Sequence, residues 1–226
     1  MTELQTIELC PGGVAPAATL IVLHGLGADG TDFIPMCDAL DLSAVGPVRC
    51  VMPRAPVRPV TINGGYVMRA WYDILAPGGR GGEDEAGLRA SQRLIEGLIG
   101  REIARGLPAS RIVLAGFSQG GAIAFQAGLR HPERLAGIMA LSTYLPLAET
   151  LDRELSDAND RVPIFMAHGS YDPMIPMIRA QHSRDALMAL GYPVEWREYP
   201  MPHSVCAEEI SDIRAFLLNT LGHSQA

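Results

Sequence analysis

The pentapeptide Gly116-Phe117-Ser118-Gln119-Gly120 is the part of this chain best built for covalent chemistry. A serine at a very tight strand-to-helix turn sits in strained backbone, so the residues two before and two after it must be small. Gly116 and Gly120 lack a Cβ and meet that demand. Such a turn pushes the Ser118 hydroxyl outward, beside the positive end of the following helix. There the Gln119 amide is placed to stabilise an oxyanion. A serine needs a base and an orienting acid, and the chain offers both in the order Ser…Asp…His. Asp172 follows an apolar run in His168-Gly169-Ser170-Tyr171-Asp172-Pro173, and His203 follows another in Pro200-Met201-Pro202-His203-Ser204.

Rivals for these roles are weaker. Ser142, at the end of the run Leu135 to Leu141, lacks flanking glycines and is expected on a pocket floor with Tyr144. Asp172 alone could equally be a turn residue before Pro173. Among the other histidines, His168 precedes Asp172 in one loop, His182 lies in a helical stretch, and His223 is in the C-terminal tail. His24 opens the glycine-rich segment His24-Gly25-Leu26-Gly27-Ala28-Asp29-Gly30 and is expected to brace that loop. Gly25, Gly27 and Gly30 match G-x-G-x-x-G, but with no downstream acidic partner in evidence the match is weak. In a hydrolase the same loop supplies a second oxyanion N–H.

The elements that must position these groups alternate. Ala18 to Leu23, Val48 to Met52, Ile112 to Phe117, Leu135 to Leu141, Pro163 to Ala167 and Val194 to Tyr199 read as strands, mostly as uninterrupted apolar runs. Between them, Glu83 to Arg105 has Ile95, Leu98, Ile99 and Ile103 on one helical face, with acidic residues at its N-terminal end. Met177 to Leu190 and the segment carrying Ile210, Ile213, Leu217 and Leu221 are also helical. The pattern is α/β, with a mostly parallel sheet and helices on both faces. Leu147 to Leu155 is a short helix with solvated charges. The stretch from Pro53 to Gly82 is dense in proline and glycine and reads as an irregular insertion at about 53–82, a lid or binding rim. Trp71 and Tyr72 within it could wall an apolar pocket or pack against the sheet edge. An apolar rim around Trp71 would serve as a homodimer contact or as an acyl entrance.

Composition narrows the classes. The 226 residues suit one domain, with net charge −7 and 48% hydrophobic residues. The acidic balance without like-charge runs argues against nucleic acid and anionic membranes as partners. All 18 basic residues are Arg, which excludes a P-loop lysine, a Schiff-base lysine and a serine–lysine dyad. Cys10, Cys37, Cys50 and Cys206 show neither C-x-x-C nor zinc spacing, and no H-E-x-x-H is present. With no secretory signal pattern and no apolar run of membrane-spanning length, a cytoplasmic protein without stable membrane insertion is expected.

Taken together, LHGLGADG (Leu23 to Gly30), Pro53 to Ile74, AGFSQGGA (Ala115 to Ala122), LSTY (Leu141 to Tyr144), His168 to Asp172 and Tyr199 to His203 resemble a bacterial carboxylesterase of the acyl-protein thioesterase/phospholipase family, within the α/β-hydrolase superfamily. The resemblance spans nearly the whole chain. It implies Ser118 as nucleophile with Asp172 and His203 as partners, and the amides of Leu26 and Gln119 as the oxyanion hole, Leu26 coming from the resemblance alone. It implies a small-molecule ester or thioester substrate and no metal or organic cofactor. Pro202 departs from the glycine that relatives usually carry there. A proline fixes its own φ and pushes Met201 towards extended backbone. Three activities fit these residues: an esterase on short to medium acyl chains, a thioesterase or lysophospholipase on long ones, and a non-catalytic receptor keeping the fold.

Overall fold

The computed structural model describes residues 4–10, 14–76 and 82–222. Its strands are β1 (Thr6–Leu9), β2 (Ala18–Leu23), β3 (Val48–Pro53), β4 (Val57–Val60), β5 (Tyr66–Arg69), β6 (Ile112–Phe117), β7 (Gly137–Leu141), β8 (Ile164–Gly169) and β9 (Val194–Tyr199). Its helices are α1 (Ile34–Ala39), α2 (Glu85–Ala104), α3 (Gln119–Gly128), α4 (Ala148–Glu154), α5 (Met177–Ala189) and α6 (Ala207–Gly222). Seven strands form one sheet in the order β1-β3-β2-β6-β7-β8-β9. All neighbours run parallel except β1, which pairs antiparallel with β3.

The apolar runs are continuous because both sheet faces are covered. Along β6, Ile112 and Leu114 face one core layer, and Val113 and Ala115 the other. β2, β7 and β8 alternate the same way, with Ile21, Ile138 and Ile164 on the first side and Leu20, Met139 and Phe165 on the second. The first layer is filled by α2 and α3 through Leu88, Ile95, Ile99, Ile123 and Phe125. The second is filled by α1 and α6 through Met36, Cys37, Ile213, Phe216 and Leu217. Each such fully buried large side chain contributes about 1.5–3 kcal/mol. Glu102 of α2, 1% exposed, ties the first layer to the sheet. It accepts from Thr19 Oγ1 at 2.9 Å and from Arg49 at 3.0 Å.

Three expectations change. The 53–82 stretch is not wholly irregular, because β4 and β5 pair as an antiparallel hairpin, Val57 opposite Arg69. Alternation is poor there since neither strand packs into the main sheet, and Val57, Tyr66 and Val67 are exposed. Residues 77–81 of that stretch, and His223, lie outside the described residues. Trp71 is fully buried, so it forms no exposed rim. The short strand β1 escaped the sequence reading because its alternation, Ile7 and Leu9 inward against Thr6 and Glu8, lasts only four residues.

Candidate active site

The segment between β6 and α3 has the geometry that its glycines require. Ser118 has φ 54° and ψ −120°, a left-handed region that non-glycine residues rarely occupy. A Cβ on Gly116 would lie 2.3 Å from the Gly120 carbonyl carbon, and one on Gly120 would lie 2.1 Å from the Leu23 carbonyl oxygen. The strained serine is held by its own backbone. Its N–H donates to Leu141 O at 2.8 Å, and its carbonyl accepts from Thr143 Oγ1 at 2.6 Å.

Strand order brings the other groups to the same sheet edge. β2 lies beside β6, so the Gly25–Gly30 loop meets the serine turn. Its shape is fixed by buried His24, whose Nε2 accepts from Ala55 N at 3.0 Å while Nδ1 donates to Gly25 O at 2.7 Å. Burial holds that imidazole below its ordinary pKa, which suits the neutral tautomer that this pairing needs. Gly27 N donates to Arg69 O at 2.9 Å, so the hairpin supports this loop as well. Among the described residues, no acceptor engages the Leu26 or Gln119 amide, and both residues line the cavity beside Ser118.

At the other end of the sheet, the loops after β8 and β9 interlock. A Cβ on Gly169 would lie 2.4 Å from the carbonyl oxygens of Met201 and Pro202, so only glycine lets the loops approach. Tyr171 N donates to Met201 O at 3.1 Å. Asp172 is consequently locked. Its Oδ1 accepts from Met174 N at 2.8 Å and Ile175 N at 2.9 Å, and its Oδ2 accepts from His203 Nδ1 at 2.6 Å. The Asp172 side chain is fully buried, while the His203 side chain keeps 17% of its surface exposed. Phe117, next to Ser118, packs against the His203 ring with centroids 4.6 Å apart. Pro202 is accommodated in a loop that still presents this histidine.

Ser118 and His203 share a cavity of about 710 Å³. Apolar Phe33, Ile62, Ile74, Leu75 and Met174 contribute to its walls, as do Tyr72 and Tyr144. Trp71 and Ser142, expected to contact substrate, do not reach it. Trp71 is packed beneath: its Nε1 donates to His24 O at 2.9 Å. Ser142 is fully buried at the end of β7 with φ 46°.

The sequence reading missed the side chain of Gln119. Its Oε1 accepts from Trp71 N at 2.8 Å, and its Nε2 donates to Tyr72 O at 2.7 Å. It also missed Arg179, which reaches the cavity from α5. Neither has a local signature, since each acts on segments far away in the chain. His168, weighed in the sequence only as a rival to His203, sits four residues before Asp172 with its Nε2 3.5 Å from Asp172 Oδ2.

Comparison with known proteins agrees with this arrangement. Residues 5–221 match the Phospholipase/Carboxylesterase family. The chain is 42% identical to acyl-protein thioesterase 1 of Mycosarcoma maydis, over 96% of this chain and 97% of the relative. It is 41% identical to acyl-protein thioesterase 1 of Neurospora crassa, over 94% and 91%. The crystal structure of Zea mays acyl-protein thioesterase 2 superposes with TM-score 0.85 at 28% identity, covering 96% of this chain and 99% of that one. These relatives are eukaryotic, so they do not support the bacterial part of the resemblance. The chain belongs to the phospholipase/carboxylesterase family of α/β-hydrolases and is a carboxylic-ester hydrolase.

Proposed function

We propose that the enzyme works through an acyl-enzyme intermediate on Ser118, with His203 as base, Asp172 as its orienting acid, and the Leu26 and Gln119 amides as the oxyanion hole. The observation that carries this is the 2.6 Å contact between His203 Nδ1 and buried Asp172, on a ring lining the same cavity as Ser118. With Nδ1–H committed to the carboxylate, Nε2 is the nitrogen free to take the serine proton. Ser118 Oγ then attacks the carbonyl, the tetrahedral oxyanion rests on the two amides, and His203 protonates the leaving alcohol or thiol. Each oxyanion donor is worth about 3–4 kcal/mol in enzymes of this kind. Water, deprotonated by His203, releases the acid.

Both ester and thioester cleavage use this machinery. The names of the fungal relatives, acyl-protein thioesterases, support the thioester reading, and a cavity of about 710 Å³ has room for short, medium and long acyl chains alike. A series of matched esters and thioesters of increasing chain length separates the two, because a sharp optimum on long thioesters rejects the short-chain esterase. Ser118→Ala tests the nucleophile directly: wild type is expected to label stoichiometrically with a fluorophosphonate and the variant not at all. Labelling retained in the folded variant would falsify the assignment.

We also read the protein as cytoplasmic, on its four free cysteines. Among the described residues no helix is long and apolar enough to cross a membrane. A homodimer remains part of the proposal, with exposed Ile62, Leu75 and Met174 at the cavity rim as the contact to test by sedimentation.

A further inference from the structure

The cavity is apolar over much of its wall, but one part of it is not. Tyr72 Oη and Tyr144 Oη lie 2.7 Å apart. Two phenols carry two protons, and one hydrogen bond between them uses one. The Tyr144 hydroxyl also accepts from Arg179, which can only donate, so one O–H of the pair still remains to be satisfied. Burial holds both phenols above their ordinary pKa, so neither gives up its proton in the neutral range.

Arg179 stands over the same pair. Its guanidinium carbon is 3.3 Å from the centroid of the Tyr144 ring. Its nearest carboxylate, Glu83, is 3.8 Å away, within ion-pair range but beyond a hydrogen bond. Guanidinium carries five N–H groups and no acceptor, and stacking on a ring fixes its plane. A spare O–H and undercommitted N–H groups therefore line one part of an otherwise apolar chamber, all of them donors. An unsatisfied donor of this kind costs about 1–3 kcal/mol if a hydrocarbon covers it.

The charge around the group decides what kind of acceptor fits. Among the described residues, Asp32, Asp73, Glu83 and Asp84 also line the cavity, against Arg179 as the one arginine. An anionic substrate group would be repelled by four carboxylates, whereas a neutral oxygen would not.

We propose that Tyr72, Tyr144 and Arg179 form a subsite for a neutral oxygen acceptor, an oxo or ether group, carried by the ester substrate away from its scissile carbonyl. This inference rests on the hydrolase reading above and adds a substrate class to it. The oxygen could sit on the acyl chain or on the alcohol, and two series distinguish these.

The test compares p-nitrophenyl hexanoate with p-nitrophenyl 5-oxohexanoate, and butyl butanoate with 2-methoxyethyl butanoate. Each enzymatic kcat/KM is divided by the spontaneous hydrolysis rate of the same ester. Wild type is expected to favour the oxygenated member of one series by about 10-fold, the equivalent of one net hydrogen bond. Hexanedioic acid mono-p-nitrophenyl ester, which carries a carboxylate instead, is expected to be turned over more slowly than the oxo ester. Tyr72→Phe, Tyr144→Phe and Arg179→Met are read by the same ratio within each variant, so a general loss of activity cancels. The ratio is expected to fall towards 1 in at least one of the tyrosine variants and in Arg179→Met. A ratio of 1 for wild type in both series overturns the subsite while leaving the hydrolase intact. So does a preference that survives all three substitutions. Failure to cleave any of these esters overturns the subsite; if fluorophosphonate labelling of Ser118 is absent as well, the hydrolase reading goes with it.

Discussion

His168 Nε2 approaches the same oxygen of Asp172 that His203 Nδ1 holds, at 3.5 Å against 2.6 Å. It is also 2.9 Å from the Ile175 carbonyl oxygen, which can only accept, so Nε2 carries the proton. The buried carboxylate thus has two backbone N–H donors on one oxygen, and His203 with a neighbouring His168 on the other. His168 is a positioning residue in this arrangement. It anchors the 172–175 turn that holds Asp172 towards His203.

His168→Leu is therefore expected to lower kcat about 10-fold, because the turn that holds Asp172 loses a buried donor. KM should change less, through Met174 and Ile175 of the same turn, which line the cavity. His168→Gln, which can still donate to Ile175, should recover most of the loss. Equal kinetics for the two variants would remove the positioning role. Asp172→Asn is a harsher change. The amide keeps the shape but can present a donor to Nδ1, so the imidazole is held in the wrong tautomer, and kcat should fall by about 10³–10⁴.

Two glycines separate strain from space. Gly120→Ala places a methyl 2.1 Å from the Leu23 carbonyl oxygen, where both sides are backbone and neither can yield cheaply. It is expected to destabilise by about 2–4 kcal/mol and to abolish fluorophosphonate labelling. Gly97, in the middle of α2, has nothing within 4 Å of its Cβ position. Gly97→Ala should raise stability by about 0.5–1 kcal/mol. Urea denaturation of the two variants reads this contrast directly, and a tolerated Gly120→Ala would mean that the turn is looser than its geometry indicates.

The same glycines show what the sequence makes legible. Spacing alone announces the turn at Ser118, because a tight strand-to-helix reversal has a local steric requirement that residue types must meet. Continuous apolar runs announce a sheet covered on both faces, since each strand satisfies two layers at once. Chain order then places an acid and a histidine after late strands. Trp71 shows where this ends: an aromatic beside a proline-rich stretch looks like a pocket wall, but its N–H is drawn under the site by Gln119 and His24. β4 and β5 were hidden because a hairpin standing off the sheet buries no regular face. Arg179 was hidden because its meaning depends on Tyr144, across a turn of the fold that no periodicity encodes.

Gln119 gives a third prediction, about binding. Its side chain satisfies a buried N–H of Trp71 and a buried carbonyl of Tyr72 from the first residue of α3. Gln119→Leu fills similar space but leaves both groups unpaired, at about 1–3 kcal/mol each. The Tyr72 wall should loosen, raising KM for chain-bearing esters more than for acetate esters. A uniform change across chain lengths would show that the clamp does not shape the cavity.

The last prediction concerns pH and stability, where two carboxylates act in opposite windows. Hydrogen bonds from Arg89 and then Arg130 pull Glu154 down to about 2, so its contribution is complete above 4.5 and is lost as pH falls from there through about 2. Glu209, at the start of α6, is different. Both its oxygens are buried without a hydrogen-bond partner of good geometry, and burial pushes its carboxyl up to about 8. The folded state therefore keeps this proton over a range where the unfolded chain, near 4.5, has released it. The stability that comes from holding it neutral is complete below 4.5 and disappears as pH rises through about 8. The urea midpoint is expected to decline between pH 5 and 8.5. Glu209→Gln, neutral throughout, should flatten that decline and be the more stable protein at pH 8.5 by about 1–3 kcal/mol. Because α6 begins just after the loop carrying His203, the decline should be accompanied by faster amide exchange at 203–209. A pH-independent midpoint in wild type, or an identical slope in the variant, would place the ionisation of Glu209 outside the folded structure.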